Sequence, residues 1–212
     1  MKRILVIGAG GHAQVAADMI LSCARDGQAV MLAGFLDDDQ SLLGQTLFDV
    51  PVWGTIAEVA RVPHDAVVIG IGDNATRARL YEQLLTAGEA FTTVIHPRAT
   101  LAQNVSIGSG TVVFAGAVVN TGAVLGANVI INTSASVDHH ARIGAHVHIA
   151  PGAHLGGDVT IEEGALIGIG ATVMPRKQIG AWSVVGAGAC VTKSVAAGLI
   201  VVGLPAKQLQ DE

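Results

Sequence analysis

The chain has 212 residues and a formal charge of −5; half of its residues are hydrophobic and only 3% are aromatic. An acidic chain with no basic stripe and few rings on which bases could stack argues against nucleic-acid binding. Two cysteines, Cys23 and Cys190, are too few for a disulfide framework, and glycine interrupts every longer apolar run, so a cytoplasmic protein with no signal peptide and no membrane contact is expected.

In chain order, the apolar run Lys2 to Ile7 predicts a strand that ends in Gly8-Ala9-Gly10-Gly11-His12-Ala13. Val15, Ala16, Met19 and Ile20 then recur at helical spacing. A glycine turn feeding a helix N-terminus offers unpaired N–H groups and a positive dipole end to an anion. The turn matches G-x-G-x-x-A, and Asp37 follows at the end of a second strand, Ala29 to Leu36, as in nicotinamide-binding domains. The α/β stretch closes near residue 94, too early for two mononucleotide halves, so a single nucleotide is the better expectation.

The segment from Asp37-Asp38-Asp39 to Pro51 is polar and reads as loop, and Thr55 is placed to cap a short helix through Val59. Ala66 to Ile71 reads as a buried parallel strand, followed by Gly72-Asp73-Asn74 and a helix from about Ala75 to Thr86. Ligands of open α/β sheets sit beyond the carboxyl ends of the strands. Gly10, Gly11, His12, Asp37, Asp38, Gly72, Asp73 and Asn74 are therefore the candidate substrate contacts, with phosphate on the glycine turn. A last strand, Ala90 to Ile95, runs through His96-Pro97 into the second half of the chain.

From Ile95 to Val191 every sixth residue is aliphatic, through seventeen repeats without an insertion. Four residues after each stands a small or β-branched residue, with Lys177 the one exception. A period of six fits neither a helix nor an ordinary strand and predicts a parallel β-helix, each hexapeptide contributing one short strand and a corner. The chain is thus expected to hold an α/β domain, 1–94, and an all-β helical domain, 95–212.

Five of the eight histidines (His139, His140, His146, His148, His154) lie in this domain within sixteen residues. None occupies the interior register, so all are expected to project outward or toward corners. His139 stands beside Asp138, and a neutral imidazole is a natural base for an amine or hydroxyl near neutral pH. No cysteine or serine nearby has an evident base partner: Cys190 is distant, and none is apparent for Ser134 or Ser136.

Together, the hexapeptides, Gly8 to His12, Asp37-Asp38, Gly72-Asp73-Asn74, His96-Pro97, Asp138-His139 and the ending Val202-Gly203-Leu204-Pro205-Ala206-Lys207 resemble one acyltransferase family. It comprises the hexapeptide-repeat sugar acetyltransferases grouped with the sialic acid O-acetyltransferases and the nucleotide-linked 4-amino-sugar N-acetyltransferases. The resemblance implies a Rossmann-like half-domain followed by a left-handed parallel β-helix of five to six coils, with three hexapeptides per coil. It also implies a homotrimer with acetyl-CoA bound between neighbouring helices. Its implied activity is transfer of acetyl from acetyl-CoA to the C4 amine of a nucleotide-linked 4-amino-6-deoxy sugar in bacterial glycan biosynthesis, with no metal.

By the same resemblance His139 is the general base, with Asp138 and His140 beside it. His148, Ile169 and Ala187 line the coenzyme; apart from the resemblance, Lys193 and Lys207 are candidates for its phosphates, with a simply solvated lysine as the alternative. The sequence departs from the family at His140, where a carboxylate is usual, which leaves Asp138 to orient the base or leaves the base weaker. Acetylation of a hydroxyl, as on sialic acid, is the alternative acceptor chemistry. More distant alternatives are a non-catalytic nucleotide-sugar binder and a zinc trimer like the gamma-class carbonic anhydrases, motivated by the clustered imidazoles.

Overall fold

A computed structural model describes residues 1–209 and divides the chain into two compact units, one ending at Pro97 and one beginning at Arg98. No helix among the described residues is long and apolar enough to cross a membrane.

The first unit is built on β1 (Lys2–Ile7), whose last four residues are fully buried. It pairs in parallel with β2 (Val30–Leu36) on one side and β5 (Ala66–Ile69) on the other. Unbroken apolar runs are what such strands need when helices cover both faces. Helix α1 (Gly11–Arg25) turns Ala13, Ala16, Ala17, Met19, Ile20 and Cys23 inward, as expected for Ala16, Met19 and Ile20, whereas Val15, read as part of the same face, is exposed. It approaches so closely that a Cβ on Gly70 would stand 2.5 Å from the Ala13 Cα.

Thr55 caps the 3-10 turn Ile56–Arg61 through a capping box with Glu58. Asp73 caps α2 (Asn74–Thr86), accepting from the Thr76 N–H at 2.8 Å.

Two expectations need correction. The stretch read as loop carries β3 (Thr46–Leu47) and the start of β4 (Val50–Gly54), a hairpin turning at Phe48 and Asp49 with φ of 52° and 61°. It is too short, and too interrupted by Pro51, to announce itself; pairing of β4 with Phe35 and Leu36 of β2 supplies the order. The full sheet runs β3-β4-β2-β1-β5. The strand expected over Ala90 to Ile95 shrinks to Val94–Ile95, with Phe91 making only a single bridge to Val67.

In the second unit, two-residue strands pair in parallel at a constant offset of eighteen. Val118, Ser136, His154, Thr172 and Cys190 form one column, Val124, Arg142, Thr160 and Gln178 a second, and Ile130, His148, Leu166 and Val184 a third. Three hexapeptides therefore close one coil of a β-helix. Every aliphatic of the six-residue series from Val113 to Val191 is at most 3% exposed, and Ala117, Ala123, Ala135, Ala141 and Ala153 beneath them are wholly buried. At the first coil Leu101 and Ile107 are only half-buried.

Corner backbone is left-handed even where the residue is not glycine: His140, His146, Asp158 and Trp182 have φ between 56° and 60°. At the far end Ile200–Val202 stacks on Val184 and Val185, and Lys207–Gln208 turns back against it.

Coils pack with no slack at the corner glycines. A Cβ on Gly144 would lie 2.7 Å from the Glu163 nitrogen of the next coil. Gly144→Ala is expected to lower the unfolding free energy by about 2 kcal/mol through forced coil displacement, read as a shift of the urea midpoint.

Candidate active site

The order β2-β1-β5 places the carboxyl ends of three parallel strands side by side, and their loops carry the predicted substrate residues. Gly10, Gly11 and Gly72 border open space, with no atom within 4 Å of where a Cβ would stand on any of them. That leaves bare backbone at the N-terminus of α1 for an anionic group to approach.

The aspartates tie the loops together. Asp37 accepts from the Ala9 N–H at 2.6 Å and the Asp39 N–H at 2.9 Å, tying the glycine turn to β2. Asp38 accepts from the Ile56 N–H at 2.9 Å, and Asp73 is spent on its helix cap. All three carboxylates thus use an oxygen to shape loops, and any hydroxyl contact draws on what remains of their accepting capacity.

The sequence reading missed Arg77. Only 1% exposed, its guanidinium donates to the Ile71 and Gly72 carbonyls at 3.2 and 3.1 Å and to Asn74 Oδ1 at 2.9 Å. It lashes the Gly72 loop to α2, and burial lowers its pKa to about 10. An arginine is ordinarily a surface residue, so nothing local marks it. The one available signal is its place four residues after the cap Asp73, which stands close enough to support its charge. Next to it, burial first and the Arg77 charge second push His12 down to about 4, so His12 faces the crevice loops as a neutral imidazole.

His139 stands at the corner between the Ser136–Val137 and Arg142–Ile143 strands. The neighbouring coils make room for two rings. A side chain on Gly157 would collide with the His139 ring, and one on Gly122 would meet the His140 Cδ2 at 2.7 Å. His139 Nδ1 lies 3.1 Å from His140 Nδ1. Asp138 does not reach the His139 ring. It accepts from the His139 backbone N–H at 2.8 Å and from Asn120 Nδ2 at 2.9 Å, and these bonds hold its pKa below the usual carboxylate value. Asp158 lies one coil on. Among the described residues, His139, His140 and Asp158 are the one group of three whose ligating atoms all fall within 4.8 Å, near enough to share an ion or a hydrogen-bonded chain.

Two further expectations are corrected. His146 does not project to solvent: it is 5% exposed, with Nδ1 2.8 Å from Asn128 Nδ2, because a left-handed corner turns its ring onto the coil below. Ser136 does have a base beside it, His154 Nδ1 at 2.8 Å, because residues eighteen apart stack. Among the described residues no carboxylate orients His154.

The residues expected to line the coenzyme lie elsewhere on the coil. Ile169 and Ala187 stack at the tip of another corner, where the Gly188 N–H donates to the Ile169 carbonyl at 2.8 Å, and Ile169 is 62% exposed. His148 Nε2 lies 3.0 Å from Asn132 Nδ2 on the flank leading to that corner. Lys193 and Lys207 are exposed near the C-terminal end. Within one chain, then, His139 and the Ile169 and Ala187 tips occupy different corners of the triangular coil, whereas Lys193 stands on the column of His139, following Val191 as His139 follows Val137.

Residues 3–84 match the model of the PglD N-terminal domain family. The UDP-N-acetylbacillosamine N-acetyltransferase of Bacillus subtilis (strain 168) is 38% identical over 118 residues, 54% of this chain and 52% of that protein, so the match spans about half the length of this curated relative. Similarity to solved structures runs end to end. The acetyltransferase domain of PglB from Neisseria gonorrhoeae FA1090, solved alone and with acetyl coenzyme A, superposes at a TM-score of 0.90. In its uncomplexed form it is 36% identical and the match covers 99% of this chain and 100% of that one. PerB from Caulobacter crescentus, solved with CoA and GDP-perosamine, gives a TM-score of 0.88 at 34% identity, covering 98% and 97%.

Similarity of that extent to acetyltransferase structures puts the chain in the class of left-handed β-helix acetyltransferases. Within that class it belongs to the hexapeptide-repeat family whose members carry a PglD-type N-terminal domain.

The neutral state of His12 ties stability to pH. The unfolded chain takes up this proton near 6.5 and the folded chain only near 4, so the unfolded state binds more protons between those values. The contribution is whole above about pH 6.5 and declines by about 3 kcal/mol as pH falls toward 4. His12→Asn should flatten this part of the stability profile in denaturant titrations between pH 7 and 4.5.

Proposed function

We propose that this cytoplasmic enzyme transfers acetyl from acetyl-CoA to the C4 amine of a nucleotide-linked 4-amino-6-deoxy sugar, with His139 as general base. The observation that carries this reading is the end-to-end similarity to an acetyltransferase solved with CoA and GDP-perosamine. The glycine cradle and the imidazole at the coil corner are the two features such a reaction needs.

The nucleotide's phosphates take the open backbone at Gly10 and Gly11, and neutral His12 and the Gly72 loop border the same crevice. The amine nitrogen attacks the thioester carbonyl and gives its proton to His139 Nε2, while a backbone N–H holds the tetrahedral oxyanion. As the C–S bond breaks, the thiolate takes that proton back from the imidazolium, leaving amide and free CoA. No metal enters any step. Because His139 and the corner that carries Ile169 and Ala187 lie apart, a site assembled between copies of a homotrimer fits this arrangement, with Lys193 and Lys207 available to the coenzyme's phosphates.

The test is thiol release from acetyl-CoA against nucleotide-linked 4-amino-6-deoxy sugars with different bases and against free sialic acid. Turnover is expected on an amino sugar, unchanged by EDTA. His139→Ala should lower kcat by about 100-fold or more with little change in acetyl-CoA affinity. Release only with sialic acid would move the acceptor from amine to hydroxyl, and loss of turnover on chelation would refute the metal-free mechanism.

Direct transfer also predicts that Ser136→Ala and Cys190→Ala keep most of the parent kcat. An acyl group trapped on Ser136 in rapid-quench mass spectrometry would overturn it.

A further inference from the structure

The base at His139 raises a question that the residues beside it in sequence do not answer. For Nε2 to accept a proton, Nδ1 must carry one and donate it, and the group receiving it decides how well the imidazolium is stabilised. Asp138 is not that group, being engaged by the His139 backbone N–H and by Asn120. The ring's hydrogen-bond partner is His140 Nδ1, at 3.1 Å. As the acceptor, His140 is protonated on Nε2 instead and has an N–H to offer onward. A neutral imidazole at the end of this chain would stabilise little charge.

The helix supplies the missing charge from the next coil. Asp158 follows His140 by eighteen residues, one full coil, and occupies the same corner position with the same left-handed backbone, φ 57° against 58°. Its N–H donates to the His139 carbonyl at 2.9 Å, which fixes its Cα relative to the base. Its carboxylate is within 4.8 Å of ligating atoms on both rings and has no other hydrogen bond or ion pair among the described residues. Gly122 and Gly157 clear the space the two rings occupy, so the pair is seated by the coils above and below.

We infer that Asp158 acts through His140 as the carboxylate of a His139–His140–Asp158 relay, in which both His140 and Asp158 are positioning residues for the general base. The His139 Nδ1–H donates to His140 Nδ1, and the Asp158 carboxylate, within 4.8 Å of a ring nitrogen on each, meets the pair from the next coil directly or through one water. Positive charge arising on His139 is then offset by an aspartate two links away. The relay rests on the acetyltransferase reading above and adds to it the source of the carboxylate.

The experiment is a double-mutant cycle in the full chain, with kcat and both KM values measured by thiol release on the amino-sugar acceptor. Asp158→Asn keeps shape and tolerates left-handed backbone, so it should fold as the parent does. It is expected to lower kcat about 10-fold with both KM values within about twofold, the scale of losing a supporting group behind a catalytic one. His140→Glu places a carboxylate directly against His139. Whatever kcat this background sets, Asp158→Asn is expected to be silent in it, because the base no longer depends on the carboxylate of the next coil.

An Asp158→Asn effect confined to KM, absent from kcat, or equal in the two backgrounds overturns the relay while turnover and its loss in His139→Ala leave the base in place. A parent protein that releases no thiol with any acceptor overturns the acetyltransferase reading, and the relay with it.

Discussion

Stacking at a fixed interval of eighteen residues is the constraint on which the second unit depends. Large aliphatics fill the prism, small residues lie beneath them, and a Cβ at Gly144 or Gly126 would strike the next coil's backbone. Burial of this kind comes only from neighbouring coils, so no hexapeptide is stable alone and none can change length without breaking the column. The same rule sets the chemistry. Once the interior is in register, Asn120 must meet Asp138, His139 must lie against Gly157, and Ser136 must meet His154.

The first unit meets a different demand, holding open backbone in a defined shape. Its carboxylates serve as internal ties: Asp37 across to Ala9, Asp38 to the 3-10 turn and Asp73 to its own helix. Arg77 completes the arrangement from below, trading the cost of a buried cation for three acceptors on the Gly72 loop and its flank. What remains open at Gly10, Gly11 and Gly72 is mostly main chain, and main chain at a helix N-terminus suits an anion through N–H groups and dipole more than through side-chain charge.

Much of the fold is legible in the residues alone. The six-residue series from Ile95 to Val191 announces the β-helix because each member must be aliphatic to fill the same interior, and the apolar runs at Ile4 and Val67 announce buried parallel strands. The β3–β4 hairpin is not legible, since β3 has two residues and β4, interrupted by Pro51, gains its order from pairing with β2 and not from local propensity. His139 can be singled out from its neighbours and from resemblance, whereas the buried state of His146 and the interior placement of Arg77 cannot. Imidazole and guanidinium go wherever acceptors and donors are assembled around them, and those assemblies come from residues distant in sequence.

The sequence by itself determined the β-helix, the central parallel strands and the position of the glycine turn, because periodicity and turn chemistry are properties of local order. Only the tertiary structure decided what each polar group is engaged with. It turned Asp138 from the ring of His139 to its backbone, set His140 against that ring, and brought Asp158 into reach from one coil away. The physical reason is range: hydrogen bonds and charges act over a few ångströms of space, and in a β-helix the nearest residue in space is as often eighteen positions away as one.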